Sequence, residues 1–135
     1  MGRARVLLVE DHPHVAAELR RLLESEFDVI AVVGDGHAAI READVIRPDV
    51  VVTDIAMPGC DGIVATRALL ARRPETRVVL VTVHDDLELA ERGYAAGALA
   101  YVLKIAAAHD LVPAVRAALR GERYVSRLGP HGSRT

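Results

Sequence analysis

The sequence is poor in several residue types, and each shortage removes a class of function. A single cysteine, Cys60, leaves neither an internal disulfide framework nor a cysteine-based zinc site. The only aromatic residues are Phe27, Tyr94, Tyr101 and Tyr124, too few for a platform on which nucleic-acid bases stack. Seventeen basic residues against nineteen acidic ones give a net charge of −2, so no general basic field points to nucleic acid. No apolar run reaches the roughly 20 residues that a bilayer-spanning helix needs. The four apolar residues before Glu10-Asp11 are too short for a signal peptide, so cytoplasmic residence without a membrane partner is expected. Lysine is the scarcest charged type: Lys104 is the only one, and the other sixteen basic residues are Arg. Codon usage accounts for missing lysines but not for the position of the one that remains.

What is present suits one soluble domain: 135 residues, 51% hydrophobic and 27% charged. Five short β-branched runs, at Val6–Val9, Val29–Val33, Val50–Thr53, Val78–Val81 and Ala100–Leu103, start about 21–28 residues apart. They are nearly continuously apolar, the pattern of parallel strands covered on both faces. Helical periodicity fills the gaps. Val15, Leu19, Leu22 and Leu23 form one stripe, with Glu18, Arg20, Arg21 and Glu24 facing away. Asp61 is placed to cap a helix that stops before Pro74. Asp85 with Glu88 resembles a capping box for a helix ending at Gly97. Asp110 is expected to cap a last helix with Pro113 in its first turn and Gly121 at its end. The expected fold class is therefore α/β, a doubly wound five-stranded parallel sheet with five helices on both faces. Residues 1–123 form the domain, and residues 124–135 are expected to be a flexible C-terminal tail or the start of a linker.

In an open parallel sheet, ligands bind beyond the carboxyl ends of the strands. The first run ends there in Glu10-Asp11, the third in Asp54, the fourth in Thr82 and the fifth in Lys104. Two carboxylates 4 Å apart repel by about 4 kcal/mol at an effective dielectric constant of 20, so a cation must neutralise them or their pKa values rise. An all-oxygen ligand set suits Mg²⁺ better than a softer metal. The six histidines show no metal-ligand spacing; His12 and His14 flank a proline. A strand-end carboxylate nucleophile, a divalent cation, an ammonium and a hydroxyl together describe a site that accepts and holds a phosphoryl group.

Val-Glu10-Asp11-His-Pro, the stretch Pro48-Asp-Val-Val-Val-Thr-Asp54-Ile-Ala-Met-Pro-Gly-Cys-Asp-Gly, Val-Thr82-Val-His-Asp and Tyr101-Val-Leu-Lys104 resemble response regulator receiver domains of two-component signalling. The resemblance covers roughly residues 4–123, and the combination is specific where each motif alone is weak. The opening motif and the ending Arg-Gly-Glu-Arg-Tyr look most like receivers that precede a helix-turn-helix DNA-binding domain. The resemblance implies a flavodoxin-like strand order 2-1-3-4-5 and a phosphorylation-dependent switch. Asp54 would be the phosphoacceptor, served by a sensor histidine kinase or phosphotransfer protein. Glu10, Asp11, Asp54 and the backbone carbonyl of Ala56 would hold Mg²⁺. Thr82 and Lys104 would bind phosphoryl oxygens, and Tyr101 would turn inward behind Thr82. Ala56 and His84 occupy the positions that tune hydrolysis of the acyl phosphate, with small Ala56 leaving a path for water that His84 partly gates. A homodimer is possible, and contact with DNA would come only through an effector domain absent from this chain. Two departures stand out. Ile105 follows Lys104 where the family usually has proline or an acidic residue, and Val83 follows Thr82 where a smaller residue is common.

Other functions fit less well. An aspartate-nucleophile phosphatase needs a second Asp two residues after the nucleophile, where this chain has Ala56, so an enzyme is not expected. A flavin or nucleotide carrier wants a glycine-rich loop after the first strand, where this chain has acidic Glu10-Asp11-His12-Pro13. The remaining alternatives share the fold: a stand-alone single-domain regulator acting by protein contact, or an interaction module that works without phosphorylation.

Overall fold

The computed structural model describes residues 2–57 and 59–126. The chain alternates strand and helix: β1 (Arg5–Val9), α1 (Pro13–Glu24), β2 (Asp28–Val33), α2 (Gly36–Ile46), β3 (Val50–Asp54), α3 (Gly62–Arg72), β4 (Arg77–Thr82), α4 (Leu87–Ala96), β5 (Ala100–Leu103), α5 (Ala107–Leu119) and β6 (Tyr124–Val125). The strands form one sheet in the order β2-β1-β3-β4-β5-β6, every neighbouring pair parallel. The sequence reading anticipated the first five strands in this order but not β6. Tyr124 and Val125 pair with Ala100 and Tyr101 at the outer edge of β5. Residues 127–135, the rest of the expected tail, lie outside the described residues, as does Pro58.

The apolar runs become strands because both faces are covered. In β3 all five residues are buried, and Val6, Leu7, Leu8 and Val9 of β1 are fully so. Val6, Leu8, Val50, Val52, Val79, Val81 and Val102 face a layer that includes Leu19, Leu23, Leu111 and Val115 of α1 and α5. Leu7, Val9, Val51, Leu80 and Leu103 face the opposite layer, with Ala39, Ala43, Leu69 and Ala90 of α2, α3 and α4. Each fully buried Val or Leu contributes roughly 1.5–3 kcal/mol of apolar transfer. That drive puts the alternate residues of every strand into two cores. β2, an edge strand, is covered less completely.

Local signals set most helix ends. Asp61 Oδ1 accepts hydrogen bonds from the N–H groups of Ile63 and Val64, so Asp61 caps α3 as its sequence position indicates. At the end of α5, Gly121 adopts φ +75°, and Gly121 and Glu122 N–H donate to Ala118 and Ala117 carbonyls, the paired bonds of a glycine stop. Two expectations need correction. The cap of α4 is Asp86, whose Oδ1 accepts from Leu89 N–H, rather than Asp85. Asp110 does not cap α5. A 3₁₀ turn at Lys104–Ala106 runs directly into that helix, which starts at Ala107 and leaves Pro113 in its interior. The carboxylate of Asp110 is fully buried and accepts instead from Tyr124. No cis peptide bond occurs among the described residues, and none of their helices is long and apolar enough to cross a membrane.

Candidate functional site

The carboxyl ends of β1, β3, β4 and β5 meet at one edge of the sheet and carry the chemistry. Pairing of β1 with β3 sets Val9 opposite Thr53, so Glu10 and Asp54 emerge side by side. Pairing of β3 with β4 sets Asp54 opposite Val81, so Thr82 extends one residue beyond it. Thr82 in turn lies opposite Leu103, the residue before Lys104.

Glu10 and Asp54 are almost wholly buried, 3% and 5% exposed. The Lys104 ammonium reaches between them: Nζ is 2.8 Å from Glu10 Oε1 and donates to Asp54 Oδ2 at 3.1 Å. The N–H of Ala56 donates to the other Asp54 oxygen at 3.3 Å. Burial, reinforced by the charge of Glu10, pushes the Asp54 carboxyl above its usual range, against the opposing pull of Lys104 and of the Ala56 N–H. Burial works to lower the Lys104 pKa, but its contacts with Glu10 and Asp54 outweigh that, so the ammonium stays charged. One cation against two buried carboxylates, with Asp11 beside them, leaves the cluster net negative.

The sharp turn after β3 depends on Gly62, whose N–H donates to Ile55 carbonyl at 2.8 Å. A Cβ at this position would collide with the carbonyl of Asp54. The helix start capped by Asp61 is therefore pressed against the backbone of the strand-end carboxylate, and only glycine fits between them.

His12 enters the cluster, although the spacing of the histidines gave no sign of it. Its Nδ1 lies 3.3 Å from Glu10 Oε2 and 3.2 Å from Asp11 Oδ1. Its N–H donates to Glu10 Oε2 at 3.2 Å. Ligand atoms of Glu10, Asp11 and His12 all fall within 4.8 Å of one another. Two oxygens here are sealed from solvent: Glu10 Oε1, with only the Lys104 ammonium beside it, and Asp11 Oδ1, with only the His12 imidazole. Hard carboxylate oxygens gathered in this way have the chemistry that a divalent cation takes.

The remaining expected residues surround this centre. Thr82 is buried, and its Oγ1 accepts from His84 N–H at 3.2 Å. The Tyr101 hydroxyl donates to the carbonyl of the same His84, and its ring is 1% exposed. Tyr101 thus stands in the inward position in this structure. Ala56 and His84 are both exposed at the site. Val83 is 69% exposed and Ile105 83%, so neither departure from the expected pattern crowds the carboxylates. Ser126 was missed altogether: it is buried, and its Oγ accepts from Leu103 N–H at 3.3 Å. The strand-forming pair Tyr124-Val125, just after the Gly121 stop, was the available signal.

Fold and strand-end carboxylates together define a class, and comparison with known proteins agrees. The chain belongs to the response regulator receiver domain family, whose profile matches residues 6–116. It is 39% identical over 125 residues to the response regulator GacA of Pseudomonas viridiflava, an alignment covering 90% of this chain and 58% of that protein. It is 37% identical over 124 residues to the response regulator UvrY of Escherichia coli K12, covering 90% and 56%. Among solved structures it is similar to a two-component response regulator of the LuxR family from Aurantimonas sp. SI85-9A1. That match has a TM-score of 0.87 and 37% identity and covers 91% of this chain and 89% of the other. The NarL signal receiver domain of Mycobacterium tuberculosis matches with a TM-score of 0.85 and 29% identity, covering 90% of this chain and all of that one. The chain spans 58% or less of the length of these curated relatives. It is a receiver domain of two-component signalling.

Proposed function

We propose that Asp54 is the phosphoacceptor and that its phosphorylation is the signal the domain transmits. The observation that carries this reading is the Lys104 ammonium bridging Glu10 and Asp54 at a strand-end cleft. An Asp54 oxygen attacks the phosphorus of a phosphohistidine on a sensor histidine kinase or phosphotransfer protein. An O–P bond forms, the N–P bond breaks, and the leaving imidazole takes up a proton. Lys104 turns from a carboxylate partner into a point charge for a phosphoryl oxygen, and the Thr82 hydroxyl donates to another. Glu10, Asp11, Asp54 and the Ala56 carbonyl would hold Mg²⁺, which supplies neutralisation of the phosphoryl charge. Ala56, hydrogen-bonded to Asp54, and His84, hydrogen-bonded to Thr82, are both exposed and set how readily water reaches the acyl phosphate.

A groove of about 560 Å³ adjoins Lys104 and is lined by His14, Val15, Leu22, Val83 and Ile105 among others. It gives a donor protein apolar surface next to the acceptor. The output we propose is transcription regulation, with DNA reached through a further domain, in the cytoplasm. Support comes from the names of its relatives, which include the transcriptional regulatory protein DegU of Brevibacillus brevis, 33% identical to this chain and covered over 53% of its own length. The test is incubation with acetyl phosphate and Mg²⁺ followed by intact mass. Wild type gains one phosphoryl group and Asp54→Asn gains none. No gain in wild type would overturn the reading.

A further inference from the structure

The segment after Gly121 is built into the domain by more than its short strand. Tyr124 N–H donates to Leu99 carbonyl at 3.0 Å, and Ser126 N–H to Tyr101 carbonyl at 2.8 Å. Ser126 Oγ accepts from Leu103 N–H at 3.3 Å, so one buried serine grips β5 on both sides of Val102. The Tyr124 hydroxyl donates to the buried Asp110 of α5 at 2.6 Å, and the Tyr94 hydroxyl of α4 donates to Tyr124 carbonyl at 3.1 Å. The Arg123 guanidinium lies 4.8 Å from the centre of the Tyr94 ring. A strand of two residues does not hold an edge by itself; these side-chain ties do.

The gripped residues are functional ones. Tyr101 continues through its hydroxyl to His84 carbonyl, and His84 N–H continues to Thr82 Oγ1. Leu103 is followed directly by Lys104. Strand β6 runs along the side of β5 away from β4.

We infer that Ser126, with the strand it ends, is a positioning residue for phosphorylation. By holding the Tyr101 carbonyl and the Leu103 N–H it keeps Tyr101 inward and Lys104 set against Asp54. The inference rests on Asp54 being the phosphoacceptor. The coupling is reciprocal: if the docked segment favours a phosphoryl group at Asp54, that group favours the docked segment by the same factor. How firmly Ser126 is fixed therefore depends on the state of Asp54.

The test uses the full chain and beryllofluoride with Mg²⁺ as the phosphoryl probe. Affinity is measured for wild type, Ser126→Ala, Tyr101→Phe and the double variant, and amide exchange at Ser126 is followed in wild type. Ser126→Ala is expected to weaken beryllofluoride binding about five- to tenfold. The double variant is expected to lose less than the product of the single effects, and Ser126 exchange to slow when the probe binds. Tyr124→Phe, which deletes only a hydroxyl, is expected to weaken binding in the same direction and serves if Ser126→Ala does not fold. Unchanged affinity, or single effects that simply multiply, would overturn the positioning role while leaving the phosphoacceptor reading intact. Failure of wild type to bind the probe would overturn both.

Discussion

The Lys104 ammonium donates to Asp54 Oδ2 at 3.1 Å across fifty residues of sequence, and its partner on the other side is Glu10. In a chain that otherwise uses arginine for every basic position, the one lysine stands at this bridge. A compact ammonium with three donors fits a cleft that must also admit a phosphoryl group; a planar guanidinium is bulkier and fixed in direction. Lys104→Arg is expected to keep the fold, seen as an unchanged circular dichroism spectrum. Phosphorylation by acetyl phosphate is expected to slow by at least about tenfold, a barrier increase of about 1.4 kcal/mol. An unaltered rate would return the position of the lysine to compositional chance.

The crowding of Asp54 against Glu10 has a cost to stability that pH exposes. Because the carboxyl is pushed above its usual range in the fold, its ionised form is less favourable folded than unfolded. That penalty is present in full above the folded-state pKa and fades as pH falls through it toward the unfolded value. Asp54→Asn is therefore expected to raise the thermal midpoint at pH 7, with Lys104 still paired to Glu10, and the gain is expected to shrink in acid. Melting curves across pH measure it.

Gly62 is expected to be intolerant of any side chain. Gly62→Ala drives a methyl into the Asp54 carbonyl, which should cost on the order of 1–3 kcal/mol in denaturant unfolding. Because the displaced backbone belongs to the phosphoacceptor, phosphorylation should fall further than the stability loss alone explains.

His84→Ala isolates the imidazole, since the contacts of His84 to Thr82 and Tyr101 are made by its backbone. The acyl phosphate is expected to hydrolyse faster without the ring, and replacing Ala56 with a larger residue is expected to slow it. The phosphoryl lifetime, followed by mass spectrometry after removal of the donor, decides whether His84 gates water.

Strand periodicity and strand-end chemistry survive reading from sequence because both are local. The β-branched runs bury both faces, and Glu10, Asp54, Thr82 and Lys104 follow them directly. What the sequence hid depends partly on distant partners and partly on how a local turn closes. Asp110 looked like a helix cap until Tyr124 claimed its carboxylate, and Asp85 looked as good a cap as its neighbour Asp86. Tyr124 to Ser126 looked like a tail because two strand residues carry no periodicity; the edge of β5 gives them their place. His12 shows no ligand spacing along the chain and meets Glu10 and Asp11 only because the turn before α1 folds back on them.

The claim on which the rest depends is that Asp54 itself carries the phosphoryl group. Phosphorylation with acetyl phosphate, reduction of the acyl phosphate by labelled borohydride and sequencing of the labelled peptide locate it. The account requires the label at position 54, as homoserine in place of aspartate. Label at Asp11, at another carboxylate or nowhere would contradict it.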